Sequence, residues 1–132
     1  MKLILGSAQF GMHYGISNKT GKPSLHGIES IIQFCVKNEI NRIDTAIDYG
    51  DCEKNLGHVG VDEFKIITKI NPNKFKKNIN DHFLLEIEKS INRLKVDNLD
   101  TVLIHNSENI TQDNEEVIFK SLLNLKEKGL TK

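Results

Sequence analysis

Leu-Asp-Thr-Val-Leu-Ile-His, residues 99–105, decides the fold class. Val102, Leu103 and Ile104 follow one another without a polar break, the pattern of a strand covered on both faces. A strand of that kind belongs to a parallel sheet wrapped by helices, and both flanks agree. Upstream, Leu84, Ile87, Ile91 and Leu94 recur at helical spacing, with Asn80 or Asp81 as the cap. Downstream, a helix is predicted from about Gln112 to Lys128, with Ile118, Leu122 and Leu125 on one face and Gly129 as its stop. Leu130, Thr131 and Lys132 would then open a fifth strand.

Further out, the same alternation holds. Phe64, Ile66 and Ile67 predict a third strand that stops at Thr68, Lys69 and the Asn71-Pro72 break, because proline pushes its predecessor out of helical geometry. Ile43 and its neighbours predict a brief second strand ending at Asp44, followed by a loop with Gly50 and Gly57 and a short helical stretch from Glu53 to Leu56. Lys2 to Leu5 predict the first strand, closed by Gly6 and opening into a loop with Gly11, Gly15 and Gly21. After Pro23, Ser24 is placed to cap a helix bearing Ile28, Ile31, Ile32, Cys35 and Val36, with its exit at Asn38 to Asn41. Strand then helix, four times over and without a hairpin signal, predicts an α/β fold of parallel strands joined by right-handed crossovers. That pattern fits both an open doubly wound sheet and half of a closed (β/α)8 barrel, and the loops must decide.

Composition narrows the class. The chain has 132 residues, enough for one domain but half the roughly 250 residues of a complete barrel. Its 18 basic and 18 acidic side chains leave a formal net charge of zero, which gives no reason to expect nucleic acid or another polyanion as partner. Lys74, Lys76 and Lys77 are read as solvated loop. Two cysteines, Cys35 and Cys52, are too few for a disulfide framework, and no secretory signal or membrane span is legible, so a reducing, cytoplasmic setting with free thiols is expected.

In parallel α/β folds reactive groups gather at the carboxyl ends of strands. Asp44 ends the second strand, Tyr49 follows in its loop, Lys69 ends the third and His105 the fourth. Neighbouring strands stand about 4.8 Å apart, so all four side chains can lean over one mouth. Singly, each has an ordinary structural explanation. Together they suit proton donation to a carbonyl oxygen, since an ammonium close to a phenol favours its anion and makes it a better acid. Lysine would supply the charge, the aspartate would hold it, and the imidazole would orient the substrate oxygen. Asp44, Asp48, His58 and His105 are also metal-ligand types, but they lack ligand spacing and no metal is expected.

Ile43 to Gly50 reads Ile-Asp-Thr-Ala-Ile-Asp-Tyr-Gly and is followed by Glu53 and Leu56-Gly57; this resembles the signature of the aldo-keto reductase family. The opening from Leu3 to Gly15, Thr68-Lys69-Ile70, the stretch from Leu99 to Asn106 and the closing Leu125 to Leu130 resemble the same family in the same order. The resemblance implies the N-terminal half of a TIM-type (β/α)8 barrel that reduces aldehydes or ketones with NADPH. It also implies that Asp44, Tyr49, Lys69 and His105 are the catalytic residues, with Tyr49 as proton donor. Gly6, Ser7 and Asp44 match cofactor-binding positions, and the absence of a GxGxxG motif agrees with a nucleotide held without a Rossmann fingerprint. Cys52 stands where many relatives have serine. Residues 1–132 are expected to form a single partial domain that stops before the fifth strand. Strands one and four would be bare edges, inviting self-association or a complementary C-terminal half. A half barrel that keeps the four side chains but binds no cofactor tightly is the alternative.

Overall fold

The computed structural model describes residues 3–72 and 78–132. Lys2 and the basic stretch Lys74, Lys76 and Lys77 lie outside the described residues. Among the described residues four strands alternate with four α-helices: β1 (Leu5–Gly6), α1 (Leu25–Lys37), β2 (Arg42–Asp44), α2 (Cys52–Val59), β3 (Lys65–Ile70), α3 (Ile79–Leu94), β4 (Thr101–Ile104) and α4 (Glu115–Glu127). All pairings are parallel, and the order across the sheet is β1-β2-β3-β4.

That order resolves the choice the sequence left open. In a doubly wound sheet the direction of travel reverses once and helices cover both faces. Here every crossover steps the same way, and α1 packs on α2, α2 on α3 and α3 on α4 along a single face. The result is an arc, helices outside, with a bare concave side.

Strand alternation sorts the side chains. Ile43, Ile66 and Ile70 point to the helices and are buried, meeting Ile28, Ile32, Phe83, Ile87, Leu94, Ile118 and Leu125 in one core, with Thr68 buried on the same face. Asp44, Ile67, Lys69, Thr101 and Leu103 occupy the intervening register positions on the concave side. Leu103 is 43% exposed there. The sequence expectation that β4 is covered on both faces is therefore corrected: only its helix-facing side is, because nothing among the described residues stands opposite the arc.

Several boundaries also move. β1 is Leu5–Gly6, and Leu3 and Ile4 precede it, because pairing starts only where β2 lies alongside, Leu5 with Ile43 and Gly6 with Asp44. β3 runs past Thr68 to Ile70, carried by its ladder to β4, where Ile70 faces Ile104. The α3 cap is Asn78, whose side chain accepts from the amide of Asp81, and not Asn80 or Asp81. Helix α4 starts at Glu115 rather than near Gln112, since Asn114 closes a turn by accepting from the Thr111 amide at 2.8 Å. Ser24 caps α1 as expected, accepting from Gly27 at 3.1 Å. Gly129 has φ +72°, the left-handed conformation that ends α4. Beyond it, Thr131 bridges Leu99 in parallel, the predicted beginning of a fifth strand.

One glycine explains how closely the helices sit. A Cβ at Gly57 would stand 2.0 Å from the carbonyl oxygen of Arg93. Only a residue without a side chain lets α2 lie directly on the α3 backbone, and this contact fixes the loop that α2 terminates.

Candidate active site

The loop between β2 and α2 is built by backbone bonds that outlast the strand. Thr45 N–H donates to Ile67 O at 2.8 Å and Ile47 N–H to Lys69 O at 3.2 Å, so the chain stays pressed along β3 after β2 has ended. Two tight turns follow, Tyr49 N–H to Ala46 O and Cys52 N–H to Tyr49 O, each 3.1 Å, winding the chain into α2. Tyr49 is thereby lifted over the end of β3.

A second loop braces the first. A Cβ on Gly11 would lie 1.8 Å from Tyr49 O, and Gly50, with φ +59°, would carry one 2.6 Å from Gly11 O. The two glycines let the loop after β1 stack on the Tyr49 loop backbone to backbone. Asn55 secures the contact by donating to Phe10 O at 2.7 Å.

Within this frame the four side chains singled out in the sequence meet at one mouth. The Lys69 ammonium donates to the Asp44 carboxylate, to Thr45 O at 2.9 Å and to Tyr49 Oη at 3.4 Å. An ammonium has three protons, and each has an acceptor here. A phenol oxygen that already accepts from Lys69 has its own proton free for another partner. The Lys69 side chain is only 16% exposed, which limits screening of its charge. His105 closes the other side, its ring 5.5 Å from that of Tyr49 and nearly perpendicular at 85°. It reaches this position because its amide donates to Ile70 O at 2.9 Å, one residue past the end of β4.

Next to these groups lies an open groove of about 330 Å³ lined by Gly6, Ser7, Ala8, Gln9, Tyr14, Asp44 and Tyr49. A Cβ at Gly6 would meet nothing within 4 Å, so the backbone there is bare. Ser7, by contrast, is fully buried and its hydroxyl donates to Asp44 O at 2.8 Å. Its side chain supports the groove from below.

Cys52 belongs to the same foundation. Its thiol donates to Ser7 O at 3.1 Å and contacts Ser7 Oγ at 3.2 Å, while the Thr45 hydroxyl donates to its sulfur at 3.4 Å. Burial pushes the Cys52 thiol up from its ordinary value, so it stays protonated and poorly nucleophilic. Both cysteines are free and buried.

In the sequence Glu53 opens a short helical stretch and belongs to a motif; in the structure it is a hub. It is 2% exposed. One carboxylate oxygen accepts from Thr68 Oγ1 at 2.8 Å and Ser90 Oγ at 2.7 Å, and the other from Arg93 Nε at 2.9 Å and Nη2 at 2.7 Å. The hub ties α2 and α3 to β3 one residue before Lys69. A signal existed in the sequence: Ser90 interrupts the apolar face between Ile87 and Leu94, and a polar residue there needs a buried partner. The contact of Gly11 with Gly50 left no such trace.

Comparison with known proteins agrees with the arc. The chain superposes on two aldo-keto reductase structures from Pseudomonas aeruginosa, each with TM-score 0.79 and covering 97% of this chain, at 25% and 27% identity. An aldo-keto reductase from Klebsiella pneumoniae in complex with NADPH shares the fold at 19% identity, with TM-score 0.73 and 97% of this chain covered. The chain spans about half the length of these proteins, 52%, 50% and 42% respectively. No curated protein sequence matches it significantly. Its four βα units therefore correspond to about half of an aldo-keto reductase barrel. The pattern of the Aldo/keto reductase family matches residues 2–132, nearly the whole chain, and the protein belongs to that family.

Proposed function

We propose that the chain carries the proton-transfer half of a NADPH-dependent carbonyl reductase, reducing an aldehyde or ketone or oxidising the corresponding alcohol. The observation behind this reading is the three-way partition of the Lys69 ammonium among Asp44, Thr45 and Tyr49. Tyr49 donates the proton to the carbonyl oxygen. As it leaves, negative charge grows on Oη, 3.4 Å from Nζ, and the lysine stabilises it in place without rearrangement. Asp44 and Thr45 O hold the ammonium so that its remaining proton faces the phenol. His105 lies across the Tyr49 ring and orients the substrate oxygen by a hydrogen bond.

The groove beside Asp44 and Tyr49 fits an extended cofactor: it is open, and the Gly6 backbone allows close approach. Gly6 and Asp44 would line the place of the nicotinamide end, with Ser7 holding the floor. When bound, NADPH supplies the hydride. Fluorescence titration with NADPH tests the reading, with saturable binding at micromolar cofactor as the expected result; a strictly linear response would reject it for the chain alone.

A second reading rests on the exposed concave side, where Ile4 is 48% and Leu103 43% exposed, and on the half-length match to relatives. In it residues 1–132 are a partial domain that keeps the four side chains but needs a complementary C-terminal half, or a second copy at its strand edges, before it binds cofactor tightly. The small-molecule carbonyl substrate is common to both readings. Two buried free thiols suit a reducing, cytoplasmic setting, and no helix among the described residues is long and apolar enough to cross a membrane.

A further inference from the structure

We infer that Asp48 is a positioning residue for His105, holding a proton on Nδ1 and so deciding what the other ring nitrogen offers to the mouth. The Asp48 carboxylate stands 3.7 Å from His105 Nδ1, with the two side chains 21% and 27% exposed. An ionised carboxylate only accepts hydrogen bonds. Facing Nδ1, it favours N–H over a lone pair at that atom. The ring is packed nearly perpendicular to that of Tyr49, their centroids 5.5 Å apart, which limits how far it can turn. Asp48 is also the residue before Tyr49, so the short loop that raises the phenol sets the carboxylate as well.

The chemical consequence concerns Nε2. A neutral ring protonated on Nδ1 presents a lone pair at Nε2 and accepts from a hydroxyl, the alcohol side of the reaction. It donates to a carbonyl oxygen only when both nitrogens carry protons. Asp48 thus makes carbonyl orientation by His105 a property of the imidazolium and alcohol orientation a property of the neutral ring. This role rests on the reductase reading above; the tautomer does not.

Long-range proton–nitrogen correlation NMR of the whole chain labelled at histidine reads the tautomer directly, without cofactor, at a pH where the ring is neutral. The signals of the five histidines are assigned to His105 by the one lost in H105Q. The wild-type ring is expected to be chiefly Nδ1–H, and the ratio of Nδ1–H to Nε2–H is expected to fall about threefold in D48N, the scale of a partly exposed charge contact at 3.7 Å. A wild-type ring that is chiefly Nε2–H, or a ratio that D48N leaves unchanged, overturns the inference. Should D48N fail to fold, the wild-type spectrum decides alone. A chain that binds no NADPH yet shows Nδ1–H loses the reductase reading for the chain alone and keeps the tautomer, so the two failures are separable.

Discussion

Tyr49→Phe is expected to lower NADPH-linked carbonyl turnover by about 10²–10⁴-fold, the usual worth of a positioned general acid, while the fold survives. The substitution deletes one oxygen. That oxygen's described partner is Lys69 at 3.4 Å, a long bond at a partly open site, so its loss costs stability at most about 1 kcal/mol. The ring stays and still meets His105 edge to face. Absorbance of the reduced cofactor follows turnover, and thermal unfolding checks the fold. Turnover equal to wild type would remove Tyr49 from the role of acid, whereas a comparable loss of both activity and melting temperature would mark the ring as structural.

The second large effect is on stability. Glu53→Ala is expected to destabilise the chain by about 3 kcal/mol, the lower part of the range for breaking one partner of a buried ion pair. The lower part applies because the Arg93 side chain is 33% exposed and can regain water once its carboxylate is gone. Thr68 and Ser90, both fully buried, have no such escape and lose their acceptor. Against a typical domain stability of about 5–15 kcal/mol, this is a large fraction. Urea unfolding measures it. A loss below about 1 kcal/mol would show that the hub behaves like a surface salt bridge, and Arg93→Met should then be equally mild.

These expectations also show which parts of the molecule its sequence encodes openly. The βα repeat was legible because helical and strand periodicities are carried by residues such as Ile28, Ile32, Ile87 and Leu94, whose burial they dictate. The cap of α3 was not, since Asn78, Asn80 and Asp81 have nearly equal capping chemistry and only the path of the chain selects among them. Coverage of β4 is not legible for a related reason: an apolar run shows what a strand is suited to face, not what stands opposite it. Leu103 is suited to burial and is open. The candidate site was legible as four chemistries at strand ends, but its working geometry depends on backbone atoms that no residue type announces. Thr45 contributes a carbonyl oxygen to the ammonium, and Gly11 and Gly50 contribute an absence of side chains. Asp48 is legible in sequence only as a ligand type, because its proximity to His105 arises from two turns between Ala46 and Cys52 rather than from spacing in sequence.

The bridge from Leu99 to Thr131 gives the exposed border of the arc a direction. It lies at the end of β4 remote from His105 and is parallel. Any polypeptide laid along that border in continuity with it would run the way β4 runs, and its far terminus would emerge beside the imidazole. Whatever completes the arc, from this molecule or another, would therefore deliver its outgoing loop to the chemistry and keep its incoming one away.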